Sequence, residues 1–216
     1  MYWYQYLSLS SLGLCLGACL WHLLRLIQLG KPKDLSKKSG NIARAEIYSF
    51  TKAMLPMQKE SAYLHVPTYA AGLFFHAGSF IALLLFLVFF FVNPTSLLGY
   101  LTLKILVLLL AFVLLIGIIC GCSLFFKRLF SKKMGYLSTL DDYLSCFLTT
   151  LFQVFTVLYL VLGDNFAAYY YMLAAILLLY IPVGKLRHIV YFFAARYHLG
   201  FFYGWRNSWP PISDKK

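Results

Sequence analysis

The chain has 216 residues, 62% of them hydrophobic and 12% charged, with a formal net charge of +12. A soluble domain carries about a quarter charged residues, so this composition excludes a globule with a water-facing polar shell and makes lipid the natural solvent. The Lys and Arg residues fall between apolar runs, so the charge reads as membrane topology and nucleic-acid binding is excluded.

A helix needs about 20 apolar residues to cross a bilayer. The first such run is 6–29. It follows Met1-Tyr2-Trp3-Tyr4 with no basic stretch ahead of it, and is expected to stay as a membrane anchor and not be cleaved as a signal peptide. A basic segment, 30–65, comes next. Within it, the stretch Asn41 to Met54 mixes Ile42, Ala45, Ile47, Tyr48 and Phe50 with charged residues. It reads either as a short amphipathic helix at the membrane surface or as a docking surface for a cytoplasmic partner.

Further runs cover 66–92, 98–126, 143–162 and 166–203, the last apolar to Val183 and then basic and aromatic. Asn93-Pro94-Thr95-Ser96 and Gly163-Asp164-Asn165 are turns by residue type. They make the second and third helices, and the fourth and fifth, antiparallel neighbours. Basic residues collect in 30–65 (Lys31, Lys33, Lys37, Lys38, Arg44, Lys52, Lys59), at Lys127, Arg128, Lys132 and Lys133, and after Lys185, while the two turns hold none. Positive-inside bias then predicts an outside N-terminus, a cytoplasmic C-terminus and an odd number of crossings. The expected fold is an all-α integral membrane five-helix bundle, one domain over 1–216.

Cys15, Cys19, Cys120, Cys122 and Cys146 lie in or beside apolar runs, where a thiol behaves as a small hydrophobe. They show neither disulfide nor zinc spacing.

The chemistry is expected from five histidines: His22, His65, His76, His188 and His198. Intramembrane polar residues are costly and mark function by default. His65 and His76 enter the second helix, and His188 and His198 end the fifth. At a rise of ~1.5 Å per residue, each pair spans roughly 15 Å of depth. The two helices run in opposite directions, so His76 can face His188 and His65 can face His198. Two imidazoles per iron would then hold two b-type haems stacked across the bilayer. A competing set gives His22 the outer haem and moves His188 to the inner one.

Gly72 and Gly78 beside His76 read either as room for a flat macrocycle or as helix packing. Arg187 and Arg196 read as partners for haem propionates or as interfacial anchors. Lys104, alone inside an apolar run, is a donor to a quinone carbonyl or a lysine snorkelling to the interface. Asp164 is a proton-release group or a plain turn residue.

Several stretches resemble a known family. These are Tyr63-Leu64-His65-Val66-Pro67, Phe74-Phe75-His76, and Pro182-Val183-Gly184-Lys185-Leu186-Arg187-His188 continuing to Arg196-Tyr197-His198, with Lys104 near the start of the third helix. Together they resemble the gamma subunit of respiratory nitrate reductase and its dihaem cytochrome b relatives, which include the membrane subunits of heterodisulfide-reductase-like complexes. The resemblance covers most of the chain. It implies that His65, His76, His188 and His198 are axial ligands of two haems b and that Lys104 contacts the quinol.

The sequence holds no cysteine set for a cluster and no nucleotide motif, so substrate chemistry is expected on another subunit. The reading is a dihaem b-type electron-transfer subunit of a hetero-oligomeric complex in a bacterial or archaeal cytoplasmic membrane. It would exchange electrons between menaquinone or another quinone and a cytoplasmic iron–sulfur partner docked on the basic inner face. The rival is a haem-free membrane scaffold or small transporter subunit, which explains the apolar runs equally well but not the paired histidines.

Overall fold

The protein is described from a computed structural model covering residues 2–30, 34–55, 58, 63–94 and 101–211. Among these residues every regular element is helical: α1 (Trp3–Gln28), α2 (Ile42–Phe50), α3 (Val66–Val88), α4 (Leu101–Phe130), α5 (Lys132–Leu137), α6 (Leu140–Leu162), α7 (Ala167–Tyr180) and α8 (His188–Trp205). Four stretches are long and apolar enough to cross a membrane: Trp3–Gln28, Val66–Val88, Leu103–Phe130 and Leu140–Tyr180. The chain is a multi-pass membrane protein. In lipid the backbone must satisfy its own hydrogen bonds, and a helix does so within one segment.

The helices cluster into two units, one of Met1–Gly17 with Pro67–Leu186, the other of Ala18–Val66 with Arg187–Lys216.

In the first unit α6 is the central helix. It packs on α4 along one side and on α7 along another. Its start is set locally: the Asp142 carboxylate reaches back to the Thr139 N–H at 2.9 Å, a capping box. Its end is set by Gly163, whose φ of +68° suits a residue without a side chain. After the Gly163–Phe166 turn, α7 returns antiparallel. Tyr170 stacks on Phe152 with ring centroids 5.6 Å apart, and the Tyr180 hydroxyl meets Ser145 Oγ at 2.9 Å. The fourth apolar stretch is therefore itself a hairpin.

The centre of this unit is aromatic. Phe86, Phe152, Tyr170 and Tyr171 are each 1% exposed or less, and such ring pairs add about 0.5–1.5 kcal/mol beyond the area they bury. Outward faces are just as apolar. On α4, Leu106, Leu109, Phe112 and Ile119 are all more than half exposed, a surface that suits lipid and would aggregate in water.

The two ends of the first unit differ in charge. At one end Asn93 Nδ2 donates to Asp164 Oδ1 at 3.3 Å, joining the turn after α3 to the turn after α6. At the other, Lys185 Nζ lies 2.5 Å and Arg128 Nη1 3.6 Å from the Asp142 carboxylate, and Lys127 donates to Thr68. The two turns expected to share a side do so, with basic residues gathered at the opposite end. Residues 95 and 96 of the first turn lie outside the described residues.

The last expected helix, 166–203, is not continuous. It is two helices, α7 and α8, separated by Ile181–Gly184 and the short 3-10 turn Lys185–Arg187. Pro182 has no N–H to continue the ladder, and its ring collides with the carbonyl one turn back. Gly184 then lets the Tyr180 ring close over the chain, since a Cβ there would lie 2.3 Å from Tyr180 Cζ. α7 alone has 14 residues, or about 21 Å at the helical rise, short of a hydrocarbon core of about 30 Å.

In the second unit α2 lies antiparallel along the last turns of α8. Asn41 caps α2 by accepting from the Arg44 N–H at 3.1 Å. The buried side chains Ala45, Tyr48 and Ser49 face α8, where Ser49 Oγ donates to the Arg196 carbonyl at 2.7 Å. Two glycines make the approach possible. A Cβ on Gly200 would lie 2.6 Å from Glu46 Cα, and one on Gly204 the same distance from Ala45 Cβ. The helix expected within 41–54 thus forms, and its buried face is spent on α8. Trp205 closes the unit, its Nε1–H donating to the Ser36 carbonyl at 2.8 Å while its own carbonyl accepts from the Ser39 N–H at 2.9 Å.

Candidate functional site

His76 sits about three turns into α3, on its exposed side. Its Nδ1 is 2.7 Å from the Gly72 carbonyl one turn earlier. A carbonyl only accepts, so Nδ1 donates, and in the neutral ring the lone pair is then on Nε2. Metal-bound histidines commonly show this arrangement, one nitrogen donating to a carbonyl and the other turned to the metal. A Cβ on Gly72 would meet nothing within 4 Å, so the surface beside the ring is open to a flat group.

Gly78 has a different role. A Cβ there would lie 2.7 Å from Gln153 Oε1 and 3.2 Å from Gly117 Cα, so Gly78 serves the packing of α3 on α4 and α6.

His65 ends the 3-10 turn Tyr63–His65 just before α3, and is exposed. Pro67 occupies the first turn of the helix, where a missing N–H costs nothing. His65 therefore belongs to the turn and not to the periodicity of α3.

His188 is the first residue of α8. At ~100° per residue, His188, Tyr191 and His198 fall within an arc of about 80° on that helix. His198 is part-buried in a groove of about 820 Å³ lined by Asp34, Ser36, Phe202 and Arg206 among others. Asp34 anchors the rim. It accepts from the Ser36 N–H and Oγ at 3.0 and 2.7 Å and pairs with Arg206 at 2.6 Å. The two Ser36 hydrogen bonds, and then Arg206, hold its carboxyl below the ordinary carboxylate range. The Arg206 guanidinium also lies 3.8 Å over the Phe202 ring, a cation–π contact.

His22, the competing ligand, is on α1. Its Nδ1 is 3.2 Å from the Tyr191 hydroxyl, with ring centroids 5.9 Å apart. The structure thus brings His22 to the α8 face that carries His188 and His198. Arg187 is exposed, and Arg196 is engaged in the α2 contact, its guanidinium 5.7 Å over Phe192. Lys104 is exposed in the first turn of α4, flanked by the exposed Ile105 and Leu108.

His22, His65, His188 and His198 all fall in the second unit, while His76 and Lys104 fall in the first. Among the described residues no three His, Cys, Asp or Glu side chains converge on one point. An iron held by two imidazoles and a macrocycle does not require such a trio.

Two residues escaped the sequence reading. Tyr191 carries no signal in an aromatic-rich stretch. Gln153 does carry one, as the lone amide of the 140–162 run. It is fully buried, with Nε2 donating to Ser79 Oγ at 2.9 Å and to the Phe75 carbonyl at 3.3 Å.

Compared with known proteins, the chain matches no family model, no curated protein and no solved structure.

Proposed function

We propose that this chain is a dihaem b-type membrane electron-transfer subunit. It would cross the membrane five times with its N-terminus outside, the fifth crossing running within 166–203 through α7 and the segment after it, and would link a quinone pool to a cytoplasmic iron–sulfur oxidoreductase partner. His65, His76, His188 and His198 would supply the axial nitrogens for two haems b, and Lys104 would face the quinone. Haem supplies a one-electron carrier; the chain's part is to bind it, hold its depth and shield it from water. The setting would be a bacterial or archaeal cytoplasmic membrane.

The observation that carries this reading is His76. Its proton is committed to the Gly72 carbonyl at 2.7 Å, which puts the lone pair on Nε2, the nitrogen an iron would take. The open surface at Gly72 and the shared α8 face of His188 and His198 support it. The separation of the basic end of the first unit from its turn end supports the orientation.

The test is a reduced-minus-oxidised spectrum of the purified full-length chain. The expected result is b-type absorption with about two haems per chain, falling by one in His76→Ala. A wild-type preparation without b-haem absorption would return the chain to the scaffold or transporter class.

A further inference from the structure

The connector from α4 to α6, residues 126–140, carries Lys127, Arg128, Lys132 and Lys133 and no Asp or Glu. Two of these cations are spent inside the first unit, Lys127 on Thr68 and Arg128 on Asp142. Lys132 and Lys133 are exposed, with no hydrogen bond or ion pair among the described residues. The two acids that follow are engaged, Asp141 with the Tyr180 hydroxyl and Asp142 with Lys185 at 2.5 Å. Large apolar side chains share the connector with the lysines: Phe130, Tyr136, Leu137 and Leu140 are each at least 75% exposed. At ~100° per residue, Lys132, Lys133, Tyr136 and Leu137 fall within an arc of about 140° on α5. Hydrogen bonds fix the connector against the end of α4. The Tyr143 hydroxyl donates to the Arg128 carbonyl at 3.3 Å, and Arg128 Nη1 donates to the Asp142 carbonyl at 3.1 Å.

Position decides what meets this patch. Only Ser131 separates α4 from α5, and only Ser138 and Thr139 separate α5 from α6. Both neighbours belong to stretches long and apolar enough to cross a membrane, Leu103–Phe130 and Leu140–Tyr180. The first has 28 residues, or about 42 Å at the helical rise. The hydrocarbon core is about 30 Å thick, and about 40–45 Å with its headgroup layers. The end of α4 therefore lies in a headgroup layer, and α5, tied at both ends, stays beside it. A soluble protein would have to displace headgroups to reach these side chains, whereas lipid is already there. Two ammonium groups with no acid beside them favour headgroups of net negative charge. We propose that Lys132 and Lys133, with Tyr136, Leu137 and Leu140, form an interfacial docking site for anionic phospholipid. The apolar side chains enter the acyl boundary, and the two ammonium groups pair with headgroup phosphates. Such a site is independent of haem.

The experiment places the full-length chain in nanodiscs of phosphatidylcholine, or of an equal mixture of phosphatidylcholine and phosphatidylglycerol, and follows hydrogen exchange in the connector. The amides to follow are Gly135 and Ser138, which donate to the Ser131 and Gly135 carbonyls at 2.8 and 3.2 Å. The expected result is exchange about fivefold slower in the mixed discs, the factor that one cation near an anionic surface supplies. Lys132→Gln with Lys133→Gln should remove the difference; both side chains are exposed, so the fold tolerates the change. Lys37→Gln with Lys38→Gln, at exposed positions of the second unit, should retain it. Leu137→Ser with Leu140→Ser should speed exchange in both disc types. Equal exchange of the wild-type chain in the two disc types overturns the proposal and leaves the patch to a protein partner. A difference that survives Lys132→Gln with Lys133→Gln overturns it as well, because the anionic lipid is then read elsewhere.

Discussion

The Arg206 guanidinium reaches the Asp34 carboxylate at 2.6 Å across 172 positions of chain, and His198 lies in the groove whose rim this pair forms. The contact gives the second unit a pH dependence of known sign. Asp34 is held below the ordinary carboxylate range by Ser36 and then by Arg206. A lowered folded-state value means the contribution is fully present above the unfolded value, about 3.9, and is lost as pH falls through the folded one. Hydrogen-exchange protection of the Ser36 amide should stay flat from neutrality down to about pH 4 and fall below it. Asp34→Asn should remove that protection at neutral pH.

Gly200 and Gly204 let α2 approach α8 to within contact of backbone atoms. Gly200→Leu should detach α2, because the new side chain meets Glu46 Cα before it can turn away. Overpacking of this kind costs about 1–3 kcal/mol. Limited proteolysis between residues 34 and 55 measures the effect, with cleavage expected to be faster in the variant.

Gly117 faces Gly78 and the Gln153 amide at the crossing of α3, α4 and α6. Gly117→Ala should lower the melting temperature in detergent, corresponding to about 1–3 kcal/mol. Gly72→Ala, whose Cβ meets open space, should leave the melt within about 0.5 kcal/mol of wild type, as surface changes do. Fluorescence-detected thermal unfolding separates the two.

His22 meets Tyr191 between the two histidines of α8. If the ligands are His65, His76, His188 and His198, His22→Ala should retain two haems per chain by pyridine haemochromogen assay. Loss of one would install His22 in the ligand set and release His198.

Much of the chain was legible because its rules are local. Gly163, read as a turn residue, ends α6 through its own backbone angle, while the Thr139–Asp142 capping box starts that helix at Leu140, three residues before the expected 143. Pro182 was visible too, yet its consequence, two helices over 166–203, was masked by apolar residues that continue to Val183. Composition persists across the break, while the hydrogen-bond ladder does not.

The site was legible only in part. The histidines stand out by residue type, since an imidazole among apolar side chains is conspicuous. The hydrogen bond from His76 to Gly72 could be anticipated from the spacing of one turn. That Gly78 packs and Gly72 does not could not be, because both are glycines near His76 and differ only in what faces them.

The sequence by itself determined that this is a helical membrane protein with several apolar helices, and which polar side chains stand out within them, because lipid penalises every unpaired polar group wherever the fold places it. Only the tertiary structure decided that α2 spends its buried face on α8, that His22 meets Tyr191, and that Gln153 grips the turn bearing His76. Each depends on which faces of distant helices meet, and small residues such as Gly78, Gly117, Gly200 and Gly204 take part by having no side chain, a property whose meaning depends on the neighbour.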